Sequence, residues 1–317
     1  MGKVLACLFF GVIAGTVGAQ GSFPDKPIRL VVGFPTGTSV DLRARTIGDG
    51  LRAELKQPII IDNRPGADGL IGAKLVADSP ANGYTLALST NGTHAANMVL
   101  YKNPGYDAVR SFAHVGLIGT SPWVLVTRPD FPARSVADLI AYGRANPGKL
   151  TMGHYSASAR LSNFLLRNGG KFEILEVPYK GPAQMMPDLA NGQLQAFFLT
   201  SEQGFAQEKN GFIRILGVTS AKRQTVAPDV PTLGETIPGF EMYSWQGIAT
   251  PAGTPKDVML KLQSAFHAAT SNPEIRERLI KLGGVPVTET SEEIAMRINA
   301  EIVIWRNWSK VSGVVPE

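Results

Sequence analysis

The chain has 317 residues, a net charge of +5, 44% hydrophobic residues and one cysteine, Cys7. A lone cysteine excludes a disulfide framework and a multi-thiolate metal site. The 31 Lys and Arg are scattered, with Ala221–Gln224 (AKRQ) the densest patch, so the concentrated basic face that nucleic acid requires is excluded as well.

The first residues read as a secretory signal. Lys3 precedes an apolar, small-residue run from Val4 to Val17, and Val17 with Ala19 fits a small-x-small cleavage site. The run is shorter than the ~20 apolar residues of a spanning helix, and Gly11, Gly15 and Gly18 interrupt it. Removal of Met1–Ala19 is therefore expected, with no membrane anchor. The 298 residues that remain contain no cysteine and hence no cysteine nucleophile. Their number predicts about two domains.

From Lys26 onward, short β-branched runs alternate with helical stretches. IRLVVGF precedes a helix over Asp41–Leu55, QPIIIDN precedes Leu70–Ala77, and YTLALST precedes a helix near Ala95–Leu100. Leu42, Ile47, Leu51 and Leu55 recur at close to four-residue spacing and predict one buried stripe. Further on come KLTMGHY before Leu161–Arg167, LQAFFL before a short helix after Ser201, and IRILGVTS; a helical pair over Lys256–Leu282 and Ser291–Ser309 ends the chain. Such alternation predicts an α/β protein with a largely parallel sheet.

Two stretches, Val115–Asp130 and Phe240–Pro255, are extended, apolar and free of helix signals. If the chain leaves its first domain near Thr120 and returns near Tyr243, residues 20–120 and 243–317 form a discontinuous lobe 1 and residues 121–242 an inserted lobe 2. Two crossing strands would then join the lobes around a cleft.

Parallel sheets bind ligands beyond the carboxyl ends of their strands, where helix N-termini present free N–H groups. Four such junctions are rich in small polar side chains: Gly33–Ser39, Ser89–His94, Gly153–Ser158 and Thr200–Gly204. Any one of them is explained by ordinary helix capping. Four together, two in each lobe, predict a polar ligand gripped from both sides. The glycines of Arg64–Lys74 are spaced G-x-x-G-x-x-G and read as a tight turn with close helix packing, not as a dinucleotide fingerprint. His94, His114, His154 and His267 lie too far apart for a local metal pattern, so neither metal nor cofactor is expected. Trp123, Trp245, Trp305 and Trp308 read as core or hinge packing.

KPIRLVVGFP, DLRAR, NRPGADGLIGAKLVA, NGYTL, NPGKL, VPYKGPAQMMPDLANGQLQ, VTSAKR, DVPTLGE and PAGTPKDV, taken together over nearly the whole chain, resemble the substrate-binding proteins of tripartite tricarboxylate transporters, the Bug family. The resemblance implies a two-lobed periplasmic binding protein of type II, a Venus flytrap with mixed, mostly parallel sheets and two hinge strands. It implies a monomer in the periplasm that captures a small organic carboxylate and delivers it to a large and a small integral-membrane subunit. A receptor feeding a membrane signalling partner is the alternative, and an enzyme on this fold is the more remote one.

Carried onto this chain, the ligand-binding loop of lobe 1 is Phe34, Pro35, Thr36, Gly37, Thr38 and Ser39, with Asp41 ordering it. Thr90, Asn91 and His94 line the cleft from the same lobe, and His154, Tyr155, Ser156, Ser158, Tyr179, Leu199 and Thr200 from the other. Arg160 is expected to pair with a ligand carboxylate. Leu199 stands where the family often has Asp, and with Phe198 it is expected to make the far end of the pocket apolar.

Overall fold

The computed structural model describes residues 23–284, 287, 289–312 and 316. The expected signal, Met1–Ala19, lies outside them. In chain order the elements are β1 (Ile28–Val32), α1 (Ser39–Leu55), β2 (Ile59–Asn63), α2 (Leu70–Ala77), β3 (Thr85–Thr90), α3 (Asn97–Leu100), β4 (Phe112–Thr127), α4 (Val136–Ala145), β5 (Thr151–His154), α5 (Ala157–Gly170), β6 (Leu175–Pro178), α6 (Pro182–Ala190), β7 (Ala196–Thr200), α7 (Ser201–Lys209), β8 (Arg214–Val218), β9 (Tyr243–Pro251), α8 (Lys256–Ser271), α9 (Pro273–Lys281) and α10 (Ser291–Ser312).

Local chemistry sets several boundaries. Thr38 caps α1 by accepting from Asp41 N, Ser135 caps α4 through Asp138 N, and Ser156 caps α5 through Ala159 N. The helix expected over Lys256–Leu282 is two helices. Pro273 cannot continue α8, and Asn272 accepts from Glu274 N and Ile275 N to start α9. The helix expected near Ala95 begins instead as a π-turn over Gly92–Ala96 and becomes α-helical at Asn97.

The strands form one sheet in the order β2-β1-β3-β9-β4-β7-β5-β6, with β8 also on β4. Parallel pairs (β1 with β2 and β3, β5 with β6 and β7) build the two outer portions. Every antiparallel pair involves β4 or β9, the two stretches read from the sequence as crossings. The β1–β2–β3 portion is called the first half below, and the β5–β6–β7 portion the second.

Burial follows this division. Ile28, Leu30, Ile47, Leu51 and Leu86 pack with α8 under the first half. Val124, Met185, Phe197 and Leu199 fill one face of the second. A third cluster runs past the crossing strands, from Ala95 through Trp245 to Phe198, and takes in α10 through Trp305 and Trp308. All four tryptophans are buried. On α1 the buried stripe differs from the expected one: Leu42 is exposed, and Arg43 and Ala44 stand in the core-facing row above Ile47.

Candidate ligand-binding site

The register along β4 brings the polar junctions together. Thr90, the last residue of β3, pairs with Gln246 of β9, which pairs with Gly119 of β4. Thr200, the last residue of β7, pairs with Trp123 of β4. Gly119 and Trp123 are four residues apart, roughly 13 Å along a strand. The ends of β3 and β7 therefore face one short window of β4, and β1 and β5 lie next to them in the sheet.

The loop after β1 is pinned from below. The Asp41 carboxylate is fully buried and accepts from Gly37 N (2.9 Å), from Nε and Nη2 of Arg45 (3.0 and 3.1 Å) and from Asn63 Nδ2 (2.9 Å). Burial alone raises this carboxyl, but the bonds from Arg45, Gly37 and Asn63 outweigh it and hold the group below its ordinary value. Asn63 Nδ2 also donates to Phe34 O, so one amide ties both ends of the loop. Pro35, Thr36 and Gly37 are left exposed on top, with Phe34, Thr38 and Ser39 partly exposed. Thr38 turns inward, its hydroxyl donating to Pro35 O and accepting from Asp41 N. The N–H groups of Thr36, Ser39 and Val40 have no acceptor among the described residues. These donors stand at a helix N-terminus, a setting suited to an anion.

Glycines allow the base of this loop. A Cβ on Gly33 would stand 2.7 Å from Gly69 Cα, and one on Gly72 would stand 2.9 Å from Gly33 Cα. Gly72 and Gly69 thus pack closely on Gly33, while Gly66 and Gly69 adopt the positive φ of a tight turn.

Beside this loop, Thr90 and Thr93 exchange N–H···Oγ1 bonds of 3.0 and 3.1 Å. Asn91 reaches across to the other half, its Nδ2 donating to Ser158 Oγ at 2.8 Å. In the second half, Ser156 caps α5 and Tyr155 lies 5.7 Å from the Trp123 ring. The Tyr155 hydroxyl is raised by burial first and by Glu202 next, and it receives a backbone hydrogen bond from Thr200. Thr200 Oγ1 is buried with no hydrogen-bond partner among the described residues. Tyr179 O–H is engaged by Asp188 at 2.6 Å.

Several predicted contacts are fully buried or have protein partners. His94 is completely buried, its ring 4.6 Å from Phe112 and 5.7 Å from His114, and burial holds it well below its ordinary pKa. It lies in the core on the π-turn, its Nδ1 2.9 Å from Thr93 Oγ1. Leu199 and Phe198 alternate to opposite faces of β7 and sit in two separate cores, Leu199 in the one that Tyr155 and Tyr179 pack against. Arg160 has partners of its own: Nε lies 3.8 Å from Glu176 Oε2, and its guanidinium lies over the Trp308 ring. His154 Nε2 is 4.0 Å from the same carboxylate, but burial and Arg160 push the imidazole down to about 4, so that contact is not an ion pair at neutral pH.

The sequence reading missed Asn63, Arg43, Glu202 and Gln246. Arg43 is 2% exposed and donates from Nη1 to Gln246 Oε1 (2.5 Å) and from Nε to Leu282 O (3.0 Å), while Nη2 lies 3.4 Å from Glu202 Oε1. Its signal was legible in principle, since Arg43 stands one helical turn before Ile47 in an apolar row. Among the described residues no group of three or more His, Cys, Asp or Glu is arranged to hold a metal, and no helix is long and apolar enough to cross a membrane.

Residues 43–310 match the family described as tripartite tricarboxylate transporter family receptor, TctC. The chain belongs to that family. It is 31% identical to the protein BugT of Bordetella pertussis, over 100% of this chain and 98% of BugT. Among solved structures it is similar to R. palustris Rpa4515 with adipate (34% identity, 93% of this chain and 100% of the other, TM-score 0.83). It is also similar to MatC from Rhodopseudomonas palustris with bound malate (28%, 90% and 99%, TM-score 0.79). The fold of this TctC protein is thus the two-lobed periplasmic binding-protein fold, and its family and neighbours are binding proteins rather than enzymes.

Proposed function

We propose that this protein captures a small organic carboxylate between its two lobes in the periplasm and delivers it to a tripartite tricarboxylate-type transporter with a large and a small membrane subunit. The observation that carries the reading is the convergence of the ends of β3 and β7 on the five residues Gly119–Trp123 of β4, with the free N–H groups of Thr36, Ser39 and Val40 on the loop after β1, the strand next to β3. Lobe 1 is residues 20–120 and 243–317 and lobe 2 residues 121–242, with β4 and β9 as the hinge. Met1–Ala19 directs export and is then removed. Tyr155, Ser156 and Thr200 contribute the second lobe's contacts, opposite the Phe34–Ser39 loop.

A linear dicarboxylate is the preferred class, because the similar proteins Rpa4515 and MatC were solved with adipate and malate. The test is a thermal-shift panel of mono-, di- and tricarboxylates. A ligand at 100 times its Kd stabilises the fold by about 2.7 kcal/mol, a shift of a few degrees for a chain of this size. Adipate or a near homologue is expected to give that shift. A panel in which no carboxylate moves the transition counts against the proposal.

A further inference from the structure

We propose that Arg43 and Glu202 form a closure latch, an ion pair between the two lobes that is made beside the hinge strand β9 and broken when the lobes part. This rests on the reading that the lobes close around a ligand.

Arg43 belongs to α1, in lobe 1, and its guanidinium is held there by neutral acceptors: Gln246 Oε1 on β9 and the Leu282 carbonyl at the end of α9. Its only carboxylate partner among the described residues is Glu202, in the first turn of α7 in lobe 2. The second oxygen of that carboxylate, Oε2, is buried with no hydrogen-bond partner among the described residues. It lies in a slot formed by Gly283, where a Cβ would come within 2.0 Å of it. The slot is itself fixed to the hinge, because Ser121 Oγ of β4 donates to Gly283 O at 2.8 Å.

The charges are therefore divided unequally between the lobes. Parting the lobes would leave the arginine with its neutral acceptors and without its counter-charge, in a site where it is 2% exposed. A buried cation deprived of its partner is strongly disfavoured until water reaches it. Closure restores the pair, so the contact biases the open–closed balance toward closed with no ligand involved. A binding protein whose competent state is more populated shows a correspondingly tighter apparent affinity.

Glu202→Gln preserves shape and removes the charge, and Arg43→Gln tests the partner. Small-angle X-ray scattering of each variant and of the unmodified protein, with no carboxylate added, reads the latch by itself. Both variants are expected to show a larger radius of gyration, while Glu202→Gln keeps a cooperative thermal transition. Scattering of Glu202→Gln that superimposes on the unmodified protein overturns the latch. Calorimetric titration with adipate provides the second arm: about tenfold weaker binding by Glu202→Gln, carried by faster dissociation, is expected, and unchanged affinity overturns the latch. If adipate fails to bind the unmodified protein, the ligand class falls, and scattering alone decides the latch.

Discussion

At Asp41, donors from the loop itself, from α1 and from β2 meet one carboxylate, and the geometry of the proposed ligand loop depends on that meeting. Replacing Asp41 with Asn leaves the Arg45 guanidinium and the Gly37 N–H competing for a single neutral oxygen. A loss of about 2 kcal/mol in denaturant stability is expected, the range for a buried bond to a charged group, together with weaker carboxylate binding. The pH dependence has a definite sign. Because the folded value is lowered from 3.8, the stabilisation is complete above that value and is lost as pH falls through the folded one. A melting series from pH 5 downward, compared with Asp41→Asn, reads the difference, and two parallel curves would contradict the role. Asp41 was legible as an acid at a helix start. Asn63 was not, because nothing in a strand residue 22 positions away announces that it ties the loop.

Between elements, two contacts carry expectations of their own. Gly72 in α2 lies so close to Gly33 that a Cβ would meet backbone atoms at 2.9 and 3.3 Å. Gly72→Ala is expected to cost about 1–3 kcal/mol, the usual penalty of overpacking, and to disturb the loop that Gly33 opens. Gly181→Ala, where a Cβ meets nothing within 4 Å, is the neutral control; equal denaturation midpoints for the two variants would contradict the packing argument. The second contact joins α10 to β9, where Trp245 Nε1 donates to Glu301 Oε1 at 2.7 Å. Burial, only partly offset by Trp245 and Arg297, pushes Glu301 up to about 7. A raised carboxyl stabilises the fold fully below its unfolded value near 4.5, and that contribution fades as pH rises through 7. Stability should fall by on the order of 3 kcal/mol across this window, and Glu301→Gln should flatten the profile. An unchanged slope in the variant would assign the pH dependence elsewhere.

The elements legible in the sequence were those with strong apolar runs, including β1, β3, β7 and both crossing strands. Of those that escaped, β6 carries Leu175 at 56% exposure and α6 contains Pro182 and Pro187, whereas α4 was passed over although Val136, Leu139, Ile140 and Gly143 follow the Ser135 cap at helical spacing. The same division holds for the site. Loops of hydroxyl and glycine residues after strands are visible in one dimension, because capping chemistry is local. The Arg43–Glu202 pair, 159 residues apart, is not, and neither is the burial of His94.

At the scale of the whole molecule, the parallel portions carry the loops, and β4 and β9 set how far apart those loops stand. Direct contacts between the proposed lobes among the described residues include Asn91 with Ser158, Arg43 with Glu202 and Arg160 with Trp308. A guest that bridges the outer loops adds to these contacts only when the lobes are together, so its differential affinity sets the closed population. The most direct measurement is a calorimetric comparison of adipate with the neutral diamide of the same carbon chain. The account predicts one adipate per protein and at least about tenfold weaker binding of the diamide, since charge-assisted bonds to backbone N–H groups are lost. Diamide binding as tight as adipate, or no binding of any carboxylate at all, would contradict it.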